Sequence, residues 1–488
     1  MRRLLAFEVL SVTAFLAVAA LALRPSTETM RPIDAKALAT GPAEETWTGI
    51  FIGEKHVGFS VSRESPTAGG GRLYEQRASF SIGAMGATQT VVTAGTALTD
   101  PEGKLVKFDF LLSSPVLMTG RGEVRPGQVH VEVEQGGATN VVDVPVSAPP
   151  ALSMTAASVI RGRNISPGDS FEVPYFDPIT MSPSTMKVVD EAPEMLPNGE
   201  IAHWLRLDSG GIATRRLVDA QGATLREESA LGLKSIRMTK AEAIAVDGGE
   251  APDLVALAKV PLTGFVDPKR PNGPLALRVV GVDAATIPTE PGLQVVSGDV
   301  VTLTTPDPGS WPALPVEGDH DVDPTLSLPS TDPEMLARAR DVVGDATDRA
   351  TAAKRINEFV HTYVAKVPTI GIPNGLEVLH SARGDCNEHT ALFVSLARAA
   401  GIPSRIAAGL VYSPLLDHGF YYHAWPEVEL AENGGWIAVD PTFGQFPAEA
   451  THLKLVTGDL DRQIEIMSVM GKIKLEVVPA ASTPTPPP

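Results

Sequence analysis

Cys386 is the only cysteine in the 488-residue chain, so neither an intrachain disulfide nor a multi-cysteine metal site can form. A lone thiol is either a small core residue or a reactive group, and its neighbours favour the second. Gly384-Asp385-Cys386-Asn387-Glu388 reads as a helix start, with Asp385 as N-cap and Glu388 three positions later completing a capping box. Cys386 then takes the first helical position of a helix that continues through Leu392, Phe393, Leu396 and Ala399. It stops at Gly401, with Pro403 beyond. Unpaired backbone N–H groups and the positive end of the helix dipole favour thiolate over thiol at such a position. The same N–H groups can hold an oxyanion formed when a carbonyl is attacked.

A nucleophilic thiol needs a base and a group that orients the base. Tyr421–Leu430 reads as a strand carrying His423, Asn433-Gly434-Gly435 as a turn, and Trp436–Asp440 as the strand returning antiparallel. Simple register sets Asp440 opposite Pro426 or Glu427, three or four residues from His423. A bulge at Pro426, which cannot donate to the ladder, is the device that could bring the two side chains together. A zinc site is the chemical rival: Cys386 and His389 are spaced i, i+3, and His418 with His423 supplies two more ligands. It leaves Asp440 without a role. His389 reads instead as bonded locally near the helix start, His380 and His452 as surface residues, and Glu388 as a cap. Tyr421, Tyr422 and Trp425 fit a cleft wall or a core equally.

GDCNEHTALFVSLARAAGIPSR, YYHAWPEVEL and GWIAVDPT, in this order, resemble the transglutaminase-like superfamily of papain-type cysteine enzymes. The resemblance covers roughly residues 330 to 460. It implies Cys386 as nucleophile, His423 as general base and acid, and Asp440 as the residue orienting His423. It also implies an α+β papain-like core, with the cysteine helix packed against an antiparallel sheet, acting on protein or peptide amides without a cofactor or metal. Members of the family cross-link proteins, hydrolyse amides or cleave peptides, and inactive binding members exist. The upstream tryptophan that supports the oxyanion in eukaryotic-type members has no counterpart, because no Trp lies between Trp311 and Trp425. Asn374 is the candidate second donor.

The elements that must position these residues form a multi-domain chain. Arg2 and Arg3 precede an apolar run from Leu4 to Leu23, long enough to span a bilayer as a helix, and Ala20-Leu21-Ala22 resembles a cleavage site. Residues 1–24 are therefore read as an export segment, an anchor or a signal peptide, that places the rest in the periplasm or outside the cell. Residues 25–45 read as a linker and 46–250 as an antiparallel β-rich domain with an open half-barrel character. Residues 251–328 read as a second β-rich segment, 329–480 as the catalytic domain, and 481–488 as a proline-rich tail. Helical periodicity runs over Pro333–Val343 and Ala352–Val367. With 40 basic against 58 acidic residues the net charge is −18, which excludes nucleic acid as a partner. A membrane is expected as a partner only through an uncleaved N-terminal helix. These expectations together describe an exported cysteine-dependent amide or peptide hydrolase or acyl transferase, the alternative being an inactive cell-envelope binding protein of the same fold.

Overall fold

The computed structural model describes residues 30–478 except 85–86, 115, 136–137, 162–165, 210–211, 230–231, 268–272, 306–319, 368, 370–371, 415–417 and 430–434. The apolar run at 4–23, the tail at 481–488 and the Asn433-Gly434 turn lie outside the described residues. Among the described residues no helix is long and apolar enough to cross a membrane.

The large N-terminal part is one antiparallel sheet of fourteen strands. Its first eight strands, from Glu44–Ile52 to Ala138–Pro145, lie side by side in chain order, as do the six from Ser170–Asp177 to Leu233–Met238. The halves join where Glu44–Ile52 pairs with Leu233–Met238, Trp47 opposite Met238. Alternation is what makes these segments strands: in Gln128–Gln135, Val129, Val131 and Val133 are buried while the residues between them are partly exposed. The sheet curls, since Phe108 of the first half and Phe176 of the edge strand Ser170–Asp177 bring their ring centroids to 5.8 Å. Helix Ser153–Arg161 follows the other edge strand. Its Ala156 and Ile160 pack on the second half, and Met154 lies so close over Gly95 of the first half that a Cβ there would meet its methyl at 2.4 Å.

The C-terminal part is α+β. Helices α1 (Pro333–Val343), α2 (Arg349–Tyr363) and α3 (Gly375–Ser381) surround α4 (Cys386–Ala399). They pack it on an antiparallel sheet of β1 (Ser404–Ser413), β2 (Gly419–Glu429), β3 (Trp436–Ala438) and β4 (His452–Thr457), in spatial order β3-β2-β1-β4. Helix α2 starts three residues earlier than its periodicity suggests because Asp348 accepts the Thr351 N–H and caps it there. Helix α4 is buried at every position from Glu388 to Ala397, so it forms the centre of this core.

A second sheet of five strands takes Leu262–Thr263, Leu275–Val280, Gln294–Ser297 and Val300–Leu303 from the middle of the chain and Lys474–Val478 from its far end. Leu277, Val301 and Leu303 share one apolar core with Ala408, Leu410, Leu453 and Leu475. A buried charge cluster fixes the same segments. The Lys454 ammonium donates to Glu290 at 2.6 Å and to Glu427 at 2.9 Å, and Arg405 donates to both carboxylates. The fourteen-stranded sheet reaches the C-terminal part through Gln135, whose side-chain amide donates to the Ile372 carbonyl and to Glu377.

Candidate active site

Helix α4 begins at Cys386, as its cap predicts. Asp385 accepts the Asn387 N–H at 2.9 Å, while Glu388 accepts the Asp385 N–H at 2.8 Å and the Thr369 hydroxyl at 2.5 Å. The half-buried Cys386 therefore sits in the first turn. Strand β2 is pinned against that helix by the Thr390 hydroxyl, which donates to the Ala424 carbonyl at 3.0 Å. The Ala424 N–H in turn donates to the Cys386 sulfur. His423 is the residue before Ala424 on this strand.

The β2–β3 register pairs Glu427 with Ala438 and Val428 with Ile437, and the Val439 N–H donates to the Pro426 carbonyl at 3.0 Å. This is one residue away from the simple register. It places Asp440 past Pro426 and diagonal to His423, within the reach of cross-strand diagonal neighbours. No bulge at Pro426 is needed, because only its carbonyl enters the ladder. Asp440 is fully buried, and His423 Nε2 donates to its Oδ2 at 2.8 Å. With Nε2 protonated, Nδ1 is the basic nitrogen of His423. Asp440 Oδ1 accepts the Phe443 N–H at 2.9 Å, and the half-exposed Phe443 ring stacks on the His423 ring at 4.9 Å.

His452 is the residue that sequence reasoning missed. Expected at the surface, it is buried at the start of β4, and its Nε2 lies 3.0 Å from Asp440 Oδ2. Nothing in its sequence neighbourhood signals this, because the contact depends on β4 pairing with β1, a strand distant in the chain. Asn374, the expected second oxyanion donor, has other partners. Asn374 caps α3, its Oδ1 accepting from Leu376 and Glu377 and its Nδ2 donating to the Leu326 carbonyl. Its side chain is therefore committed elsewhere. Tyr422 lies near the thiol instead, its hydroxyl 3.0 Å from both Asn387 Oδ1 and Gln463 Oε1.

The rival zinc ligands have other partners. His389 Nδ1 donates to the Asp385 carbonyl at 2.6 Å, and His418 Nδ1 bonds the Tyr412 hydroxyl at 2.9 Å. His380 is exposed and paired with Glu334. Among the described residues, the one group of three or more His, Cys, Asp or Glu close enough to share an ion is His423, Asp440 and His452. Hydrogen bonds already join these three. Tyr421 and Trp425 are core residues, 7% and 1% exposed.

The electrostatics act on the thiol and on Asp440 in opposite directions. Burial pushes the Cys386 thiol well up, and the Asp385, Glu388 and Asp440 carboxylates push the same way, against the lowering effect of the Ala424 N–H. These act against the lowering effect of the helix start on which the sulfur sits. Burial also raises the Asp440 carboxyl, but His423 and His452 outweigh it and hold the group well below the usual carboxylate range. Asp440 is ionised.

Residues 336–441, the span of α1 through Asp440 and its neighbour, match the family model of the transglutaminase-like superfamily. This part of the chain is a transglutaminase-like domain. A protein-glutamine gamma-glutamyltransferase of Pseudomonas aeruginosa is 34% identical over 106 residues, covering 20% of this chain and 16% of that protein. The chain thus matches only a small part of that relative's length. Two solved structures resemble parts of the chain at low superposition. The periplasmic domain of TgpA from Pseudomonas aeruginosa is 24% identical, covering 26% of this chain and 49% of that one with a TM-score of 0.20. A β-barrel-like protein of a domain of unknown function from Brucella abortus is 10% identical, covering 40% and 96% with a TM-score of 0.33.

Proposed function

We propose that the chain is an exported cysteine-dependent enzyme that opens amide bonds of proteins or peptides through a thioester on Cys386. The observation that carries the reading is Asp440 holding His423 Nε2 at 2.8 Å, on a strand pinned to the first turn of the cysteine helix. In this reading the Cys386 sulfur attacks the amide carbon while His423 Nδ1 takes the thiol proton. The Cys386 N–H at the helix start supports the oxyanion. The imidazolium then gives its proton to the departing amine or ammonia, leaving the acyl group on sulfur. Water or a primary amine next attacks the thioester, passing a proton to Nδ1, and the sulfur leaves and regains its proton from His423. Water gives hydrolysis and an amine gives acyl transfer.

The named activity of the Pseudomonas relative suggests the glutamine carboxamide as substrate, and the Arg2-Arg3 flank with the apolar run beyond supports export. The purified chain is incubated with a glutamine-containing peptide, with and without a primary amine, and analysed by mass spectrometry. Ammonia release with a mass gain of a new hydroxyl, or of the amine, supports the reading, provided Cys386→Ala abolishes it. An unchanged peptide in both arms identifies an inactive binding module instead.

A further inference from the structure

We propose that His452 is a fourth member of this site: a positioning residue that holds Asp440 as a second donor beside His423, and does so as a doubly protonated imidazolium. The proposal rests on the Cys386 reading above for its functional meaning, while its protonation state rests on the acceptors that face the two ring nitrogens. His452 Nδ1 lies 3.0 Å from the backbone carbonyl oxygen of Glu449, a group that only accepts. Nδ1 therefore carries a hydrogen. Nε2 lies 3.0 Å from Oδ2 of Asp440, an ionised carboxylate that also only accepts. Nε2 therefore carries a hydrogen too. A ring that donates from both nitrogens is a cation.

A buried cation requires a paired anion, and Asp440 is that anion. Lys454, two residues along β4, is tied to Glu290 and Glu427. The Trp425 ring meets His452 edge-on at 5.0 Å, and the His423 ring lies at 5.8 Å. Backbone placement makes the contact possible. Strand β1 lies between β2 and β4, with Gly409 opposite His423 on one side and Val411 opposite His452 on the other. A Cβ at Gly409 would meet the Leu453 carbonyl oxygen at 2.0 Å, so only glycine lets β4 approach closely enough.

Two consequences follow. Asp440 receives the Phe443 N–H on Oδ1 and two imidazole donors on Oδ2, which fixes its rotation. The fixed positive charge of His452 also offsets Asp440, so His423 gains less from becoming an imidazolium at rest. This agrees with the upward push on the Cys386 thiol.

The experiment uses the full chain labelled with 15N-histidine. Long-range 1H–15N correlations near pH 7 identify His452 by the signals lost in His452→Gln or, if that chain does not fold, by proximity to the Trp425 ring. Two protonated nitrogens are expected, and the pattern of one protonated and one bare nitrogen would overturn the proposal. In parallel, the pH profile of iodoacetamide alkylation of Cys386 is compared in the folded wild-type and His452→Gln chains. Removing the cation should move the midpoint downward by about one unit, since Asp440 then supports a protonated His423 more fully. An unmoved or raised midpoint would remove the positioning role. Neither readout requires turnover, so failure of the peptide assay would fall on the enzymatic reading and not on His452.

Discussion

Asp440 accepts three hydrogen bonds, from one backbone N–H and two imidazoles, and a full negative charge strengthens each of them. Asp440→Asn keeps the shape and removes that charge, placing an amide nitrogen or a weaker acceptor against the histidine donors. Turnover of the glutamine peptide should fall by about 10³- to 10⁴-fold with the folded state retained, as when a triad aspartate loses its charge. Circular dichroism and an ammonia assay check this, and a loss under about tenfold would deny Asp440 its orienting role. The thiol gives a second residue-level test. Burial and the nearby carboxylates push the thiol upward, so alkylation of native Cys386 should set in only above about pH 8.5, the ordinary value for cysteine. The denatured chain, lacking burial and the three carboxylates, should react at lower pH. A native midpoint below 7 would reverse the electrostatic argument.

Local chemistry sets the elements, and the first turn of α4 carries an opposing strain. Burial and the neighbouring Asp385 carboxylate push Glu388 up to about 8 from 4.5, against the lowering effect of the Thr369 hydroxyl and the Asp385 N–H. Between those two values the folded chain keeps a proton that the unfolded chain has released, so stability should decline as pH rises from about 5 to 8. Glu388→Gln mimics the protonated form and should flatten that decline in denaturant titrations. A Gln chain that loses stability as steeply as wild type would rule the assignment out. Strand β1 supplies another test. Gly409→Ala should force β4 away, because the added carbon has only the Leu453 backbone to meet. A destabilisation of about 1–3 kcal/mol is expected, the scale of overpacking, and its measure is the thermal midpoint. The local features are legible in the sequence: the Asp385–Glu388 box, the start of α4 and its stop near Gly401 depend on residues within a few positions of one another. The His423–Asp440 register was missed by one residue, since the turn between the strands does not fix the count. His452 depends on a β4–β1 pairing that no local signal encodes.

At the scale of the whole molecule, the transglutaminase-like part shares one of its two cores with other segments of the chain. Four of the five strands in the second sheet come from residues 262–303, and the fifth, Lys474–Val478, comes from the chain's far end. A chain starting near residue 326 should therefore expose the apolar side chains around Leu453 and Leu475 and fail to melt cooperatively. One starting near residue 252 should fold and retain alkylation of Cys386. Calorimetry on the two truncated chains decides between them. The fourteen-stranded sheet poses a different problem, one of order in time. Almost every strand pairs with its immediate successor, so most of the sheet can grow hairpin by hairpin as short loops close. The exception is the seam between Trp47 and Met238, which closes a loop of about 190 residues and carries the largest loop entropy in the sheet. During synthesis the outer edge of Glu44–Ile52 must wait as a bare strand until Leu233–Met238 emerges. The seam is thus the last stitch of the N-terminal half, and the interval before it closes is when the nascent chain is most open to pairing with the wrong partner.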